Sequence, residues 1–120
     1  MDTVAVTIAG CRTELANIAI NYINRIGEKE DCTIIGRGIK TSPVNAVFAN
    51  TSFGHCLDFD DAMLDNTLLG HPSVIALPTA LAIGELANST GKDILLAYNL
   101  GLEVMGNLGQ SVIQSLHVSR

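Results

Sequence analysis

The stretch KDILLAYNLGLEVMGNLGQSVIQSL, residues 92–116, limits the fold of this chain more than any other feature. Its length and spacing predict one long helix, and its leucines, isoleucines and valines do not keep to one narrow stripe. Gly101, Gly106 and Gly109 allow other helices to approach closely. A helix that is apolar on most sides requires burial on most sides, so we expect further polypeptide or a partner subunit to cover it.

The composition agrees with a helical protein that packs through small side chains. The chain has 120 residues, which fits one domain, and 48% of them are hydrophobic although only 4% are aromatic. The core must therefore be built from alanine, isoleucine, leucine and valine. We predict an all-α, multi-helix bundle.

Start and stop signals divide the chain into about five helices. Residues 2–10 form an apolar segment that ends at Gly10, and Thr13 is placed to cap a second helix. Ser42 and Pro43 predict a third helix that runs through Asp61. The remaining helices are expected to start at Pro72–Ser73, with a kink or a late start at Pro78, and after Thr90, a candidate cap. Residues 32–38 are predicted to be a short strand or connector, and residues 62–70 a loop.

Charge and targeting signals exclude several classes of protein. The net charge of −5 argues against nucleic acid, whose phosphates require lysine and arginine. No apolar run is long enough for a membrane span, and the apolar start lacks the basic region of a signal peptide. Three cysteines without C-x-x-C spacing are expected to be reduced thiols rather than zinc ligands. We therefore predict a cytoplasmic protein without nucleic-acid or membrane partners.

An acidic cluster stands out within residues 54–73, which read GHCLDFDDAMLDNTLLGHPS. Like charges this close cost free energy unless a proton, cation or substrate compensates them. The simplest interpretation of Asp60 and Asp65 is a solvated helix end. An EF-hand is excluded because, with Asp58 counted as the first position, the sixth is Met63 instead of glycine and the twelfth is Leu69 instead of an acid. Two metal alternatives stay open: a site made of His55, Asp58 and His71, and a magnesium–diphosphate motif at DDAMLD.

Acid–base chemistry is the remaining interpretation of the cluster. Histidine titrates near neutral pH, and a neighbouring carboxylate can orient it. His71 precedes Pro72 and Ser73 and so lies at a helix N-terminus, where backbone N–H groups attract anions. His55, by contrast, is expected to be a core histidine bonded to Asp58 or to the backbone, since the two residues are three apart on one helix.

Three motifs in order resemble the MmgE/PrpD family. They are HCLDFDD at 55–61, HPS at 71–73 and LLAYNLGLEVMGNLG at 95–109, preceded by a similar early helix, DTVAVTIAG. The family includes enzymes of the 2-methylcitrate dehydratase, cis-aconitate decarboxylase and iminodisuccinate epimerase types. The resemblance covers nearly the whole chain. It departs at Ala62, where the family often has threonine and this chain lacks a hydroxyl.

The resemblance implies that residues 1–120 are part of a helical domain, truncated at both ends, of a longer homodimeric lyase or epimerase. Asp58 and His71 match catalytic positions, and Ser73 and His55 are candidate substrate-binding residues. The expected substrates are di- or tricarboxylic acids, which react by proton transfer α to a carboxylate without metal or cofactor. The isolated chain is expected to be inactive. A non-catalytic helical interaction module, or a decayed remnant, is the alternative.

Overall fold

The computed structural model describes residues 2–26, 29–64 and 69–117. Within these ranges the protein is mainly helical, which confirms the all-α prediction. Two short antiparallel hairpins interrupt the helices. In chain order the elements are α1 Asp2–Gly10, α2 Glu14–Ile26, β1 Cys32–Ile34, β2 Ile39–Thr41, α3 Pro43–His55, β3 Met63–Leu64, β4 Leu69–Gly70, α4 Ser73–Leu86 and α5 Gly91–His117.

The predicted caps determine where three helices begin. The N–H of Ala16 donates to Oγ1 of Thr13 at 3.3 Å, and the side chain of Ser42 accepts from the first turn of α3. At the start of α5, Thr90 and Asp93 bond reciprocally, with the Thr90 N–H 3.0 Å from Oδ2 of Asp93. These contacts satisfy backbone donors that the helix itself leaves without partners.

Helix α3 lies at the centre of the fold and contacts α1, α2, α4 and β1. Phe53 of α3 is fully buried. A Cβ added to Gly10 would fall 1.9 Å from the carbonyl oxygen of Phe53, so only glycine allows α1 to lie this close to α3. The main core unites the turn after α1 with α2, α3 and β1, and most of its side chains are small or of medium size: Cys11, Ala16, Ala19, Ile23, Ile34, Ala49 and Phe53.

Helix α3 ends at His55, so the prediction that it continues through Asp61 is wrong. The N–H of Asp58 donates to the His55 carbonyl at 2.9 Å, which closes a turn after the helix. Asp58 has a φ of +55°, a left-handed conformation that aspartate tolerates better than most residues. His55 and Asp58 therefore do not share a helical face.

The predicted segments between the helices are partly corrected as well. Residues 32–34 are a strand, as one alternative held, and they pair with residues 39–41 across a turn containing Gly36 and Gly38, both with positive φ. The expected loop at 62–70 includes the short hairpin β3–β4. Residues 65–68, and with them the interpretation of Asp65, lie outside the described residues.

Pro78 lies inside α4 without ending it. Proline has no N–H, so the carbonyl of Val74, one turn earlier, loses its usual helical donor. That carbonyl accepts a hydrogen bond from the Thr51 hydroxyl at 2.8 Å instead. A side chain of α3 thus replaces the missing backbone donor and joins the two helices.

Helix α5 packs against α4, where a Cβ on Gly84 would lie 2.7 Å from the side chain of Ile94. The predicted burial on most sides is not reached in this chain, because several large side chains of α5 remain more than half exposed: Leu95, Leu96, Leu100, Val104 and Leu108. Among the helices that the structure describes, none combines the length and apolarity required to cross a membrane.

Candidate functional site

The end of α3 and the start of α4 meet at Gly54. A Cβ at this position would lie 2.9 Å from Cγ1 of Val74 and 3.1 Å from Oγ1 of Thr7, so the two helices approach over a bare backbone. This contact brings the residue after Gly54 next to the residues before α4. As a result the rings of His55 and His71 lie with centroids 4.5 Å apart, tilted by 59°.

The carboxylate of Asp60 contacts both imidazoles. Its side chain is fully buried, whereas the side chains of His55 and His71 are 52% and 31% exposed. Nδ1 of His55 lies 3.1 and 3.2 Å from the two Asp60 oxygens. Nδ1 of His71 lies 3.1 Å from Oδ2 of Asp60, but its angle does not make a hydrogen bond. One buried acid therefore faces two imidazoles.

Two sequence interpretations are corrected by this arrangement. Asp60 was expected to be a solvated helix end and is instead the buried member of the cluster. His55 was expected in the core, bonded to Asp58 or to the backbone, and is instead exposed and bonded to Asp60. The reason is the early end of α3, which lets the chain turn back so that Asp60 lies beneath both rings.

Asp58 and His71, the two residues assigned to catalysis, lie in the same cluster. Each of His55, Asp58, Asp60 and His71 offers a nitrogen or oxygen atom within 4.8 Å of the others. Asp58 is exposed and Asp60 is not, so the two carboxylates have different environments. Among the described residues, no lysine or arginine pairs with either acid.

Ser73, the candidate substrate-binding residue, is buried in a second polar chain. Its hydroxyl donates to Oδ2 of Asp61 at 2.7 Å and lies 2.7 Å from the hydroxyl of Tyr98 on α5. These hydrogen bonds join the acidic segment to the start of α4 and to α5. The Ser73 hydroxyl is thus already committed to neighbours within the fold.

The N-terminus of α4 lies directly after His71. Pro72 precedes the helix, and no side chain in the described chain caps this end. Backbone N–H groups in the first turn of a helix have no intrahelical acceptor, and they favour an anion. A carboxylate near His71 would meet such donors.

The cysteine thiols lie wholly or partly within the packed fold. Cys11 and Cys32 are buried and Cys56 is partly buried, and all three are free thiols as expected. Burial, followed by the nearby charge of Glu85, raises the pKa of the Cys32 thiol. Its Sγ donates to the Ala82 carbonyl at 3.2 Å. A thiol held protonated in this way is a packing group rather than a reactive one.

Comparison with known proteins agrees with the motifs that meet at this site. The model of the MmgE/PrpD N-terminal domain matches residues 1–118. The chain belongs to the MmgE/PrpD family. Cis-aconitate decarboxylase of Homo sapiens is 36% identical over 113 residues, and the Mus musculus protein of the same name is 33% identical over 113 residues. No solved structure matches the chain.

The shared segment covers 90% of this chain but only 23% of the human decarboxylase and 22% of the mouse one. The chain therefore spans about a quarter of the length of these MmgE/PrpD relatives. Asp58 and His71 stay predicted site residues, and the structure places both in one cluster. The contacts of Asp60 with His71 and of Tyr98 with Ser73 had no local signal, since they join separate elements of the chain.

Proposed function

We propose that the intact protein carrying this segment is a lyase or epimerase of di- or tricarboxylic acids that uses neither metal nor cofactor. The observation that carries the proposal is the Asp60 carboxylate facing two imidazoles beside the uncapped start of α4. Decarboxylation of cis-aconitate is the first candidate reaction, because both similar proteins are named for it. Dehydration and epimerisation are the alternatives within the family.

His71 is the proposed acid–base residue. Its Nδ1 faces Asp60, which leaves proton exchange with a substrate to Nε2. In decarboxylation, the C–C bond breaks, CO₂ leaves, and the electron pair stays on carbon until protonated His71 delivers a proton. In dehydration or epimerisation, neutral His71 first removes the proton α to a carboxylate. Either step requires an imidazole held in one orientation.

Asp58 and Asp60 divide the carboxylate roles. Asp60 is buried and contacts both rings, so we assign it to positioning. Asp58 is exposed and within 4.8 Å of the other groups, so we assign it to contact with the reacting part of the substrate. A buried carboxylate that fixes a histidine is a common support for general acid–base catalysis.

Substrate carboxylates would bind at the start of α4. The backbone N–H groups of its first turn offer donors, and exposed His55 adds a cation when it is protonated. The Ser73 hydroxyl is held by Asp61 and Tyr98, so its contribution to binding would come through its backbone N–H. Protonation of the imidazoles would also offset the repulsion between Asp58 and an anionic substrate.

Homodimer formation and a cytoplasmic location belong to the same proposal. The exposed apolar face of α5, which includes Leu96, Leu100 and Val104, supports association with further polypeptide. The isolated chain is expected to be inactive, since it spans about a quarter of the matched relatives.

The test uses the intact gene product that contains this segment. Proton NMR would follow cis-aconitate, 2-methylcitrate and related acids, with Asp31→Asn as a matched exposed control. His71→Ala and Asp58→Ala are each expected to reduce kcat by about 10²-fold or more, as loss of a general acid–base group does. Normal turnover in both variants would remove the site assignment. An inactive wild-type protein would favour the non-catalytic module.

The magnesium–diphosphate alternative gains no support. It needs neighbouring carboxylates that act together, but Asp60 bonds to His55 while Asp61 accepts from Ser73. Both residues also lie beyond the end of α3. Magnesium-dependent diphosphate binding that Asp60→Ala and Asp61→Ala abolish would revive it.

A further inference from the structure

Two imidazoles and two carboxylates lie close together between the end of α3 and the start of α4. The sequence alone did not predict their relative positions. His55, Asp58, Asp60 and His71 each bring one donor atom within 4.8 Å of the others. The group is a mixed nitrogen and oxygen set, held by the end of α3, the turn after it and the start of α4. This combination differs from a purely acidic patch, which would favour calcium or magnesium.

We propose that these four residues bind one divalent transition-metal ion of the Zn²⁺ type. Neutral imidazoles and aspartates are ligands that Zn²⁺ accepts in tetrahedral sites. The two aspartates carry two negative charges that no lysine or arginine among the described residues pairs with, so a divalent cation would neutralise the site. Nδ1 of His71 adds a buried nitrogen that makes no hydrogen bond.

The geometry requires only a modest contraction. Zinc–ligand distances of about 2.0–2.2 Å place neighbouring tetrahedral donors about 3.4 Å apart. The four ligand atoms now lie within 4.8 Å of one another, so the most widely separated pair has to move closer by up to about 1.4 Å. Asp58 and His55 are exposed and can rotate, whereas buried Asp60 supplies the fixed point.

Occupation of this site would inhibit the enzyme rather than assist it. The metal would take the imidazole lone pairs and carboxylate oxygens that proton transfer uses. Binding itself does not depend on the proposed function, because the four ligands are present in the 120-residue chain. A failure of one proposal is thus distinguishable from a failure of the other.

The test is a Zn²⁺ titration of the 120-residue chain by calorimetry, with Co²⁺ absorption spectra to report tetrahedral coordination. One ion per chain is expected, with Mg²⁺ binding much more weakly. His55→Gln and Asp60→Asn are each expected to weaken Zn²⁺ binding by about 10-fold or more. His55→Gln changes an exposed side chain, so its result does not depend on refolding of a buried site.

Two controls separate this site from other zinc ligands. Asp31→Asn alters an exposed aspartate distant in sequence, and Cys56→Ser removes the partly exposed thiol next to His55. Both controls are expected to bind Zn²⁺ as the wild type does. Unchanged binding in His55→Gln and Asp60→Asn would overturn the proposal. So would loss of binding in Cys56→Ser, or the absence of Zn²⁺ binding by the wild type.

Discussion

Oδ2 of Asp60 lies 3.1 Å from Nδ1 of His71, although Asp60 precedes the β3–β4 hairpin in the sequence and His71 follows it. The same carboxylate accepts a hydrogen bond from His55 when that ring carries its proton on Nδ1. An ionised carboxylate has no proton to donate and can only accept, so the contact favours the tautomer of His55 that carries its proton on Nδ1. In the structure, Nδ1 of each histidine ring therefore points to the same buried carboxylate.

Asp60→Ala is expected to release the His55 tautomer. In the wild type, Nδ1 of neutral His55 should carry the proton, because Asp60 accepts from it. The variant should show a mixture of tautomers. Long-range proton–nitrogen NMR of the 120-residue chain distinguishes the two forms. Asp58→Asn is the matched control, since asparagine also tolerates positive φ and Asp58 does not bond to the His55 side chain. A tautomer that follows Asp58 rather than Asp60 would contradict the assignment.

Gly54→Ala is expected to weaken the contact between α3 and α4. The new Cβ would lie 2.9 Å from a short, stiff valine side chain, so helices must separate. We expect a loss of about 1–3 kcal/mol in the free energy of unfolding, as for other overpacked sites. Urea denaturation measures it. In the control Gly106→Ala, the added Cβ meets nothing within 4 Å, and the helix should be unchanged or slightly more stable. Equal stability of the two variants would show that Gly54 does not limit helix approach.

Glu85→Gln is expected to reduce the loss of stability in acid. Burial alone would raise the pKa of Glu85, but hydrogen bonds from Thr33 and from Lys40 hold the pKa below its usual value. The folded-state pKa is lowered, so this stabilisation is present above the unfolded-state pKa of about 4.5 and disappears as pH falls through the folded value. The contribution at neutral pH should be about 1 kcal/mol after screening by solvent.

The measurement is the free energy of unfolding by urea at a series of pH values from 7 downward. Glu103→Gln, on the exposed surface of α5, is the matched control. The wild type and Glu103→Gln should lose stability together as pH falls, and Glu85→Gln should lose less. Parallel curves for all three proteins would mean that Glu85 does not join α4 to the β1–β2 hairpin in solution.

Thr90→Ala is expected to destabilise the start of α5. The hydroxyl of Thr90 donates to Asp93 at 2.7 Å, and the Thr90 backbone N–H donates to the same carboxylate, whose pKa these bonds lower. Loss of an N-cap typically costs about 0.5–2 kcal/mol. Thr79→Ala is the control, because its hydroxyl donates to the Ile75 carbonyl inside its own helix, α4, and caps no helix end. Thermal unfolding should show a lower Tm for Thr90→Ala than for the wild type, and an unchanged Tm for Thr79→Ala.

Local signals accounted for the helices because their causes are local. Thr13, Ser42 and Thr90 cap their helices through atoms within three residues, so a reader of the sequence can place those ends. The end of α3 could not be placed in this way. It depends on Asp58 adopting a left-handed conformation and on Asp60 finding partners, and neither choice is dictated by neighbouring residues.

The sequence by itself determined the all-α class, the helix starts at Thr13, Ser42 and Thr90, and, through three ordered motifs, the MmgE/PrpD family. Only the tertiary structure decided which aspartate is buried. Asp58, Asp60 and Asp61 carry equal charges, but only Asp60 is buried among these three, next to the place where α3 meets α4 at Gly54. That contact involves side chains from distant parts of the chain, so its geometry is absent from any local pattern.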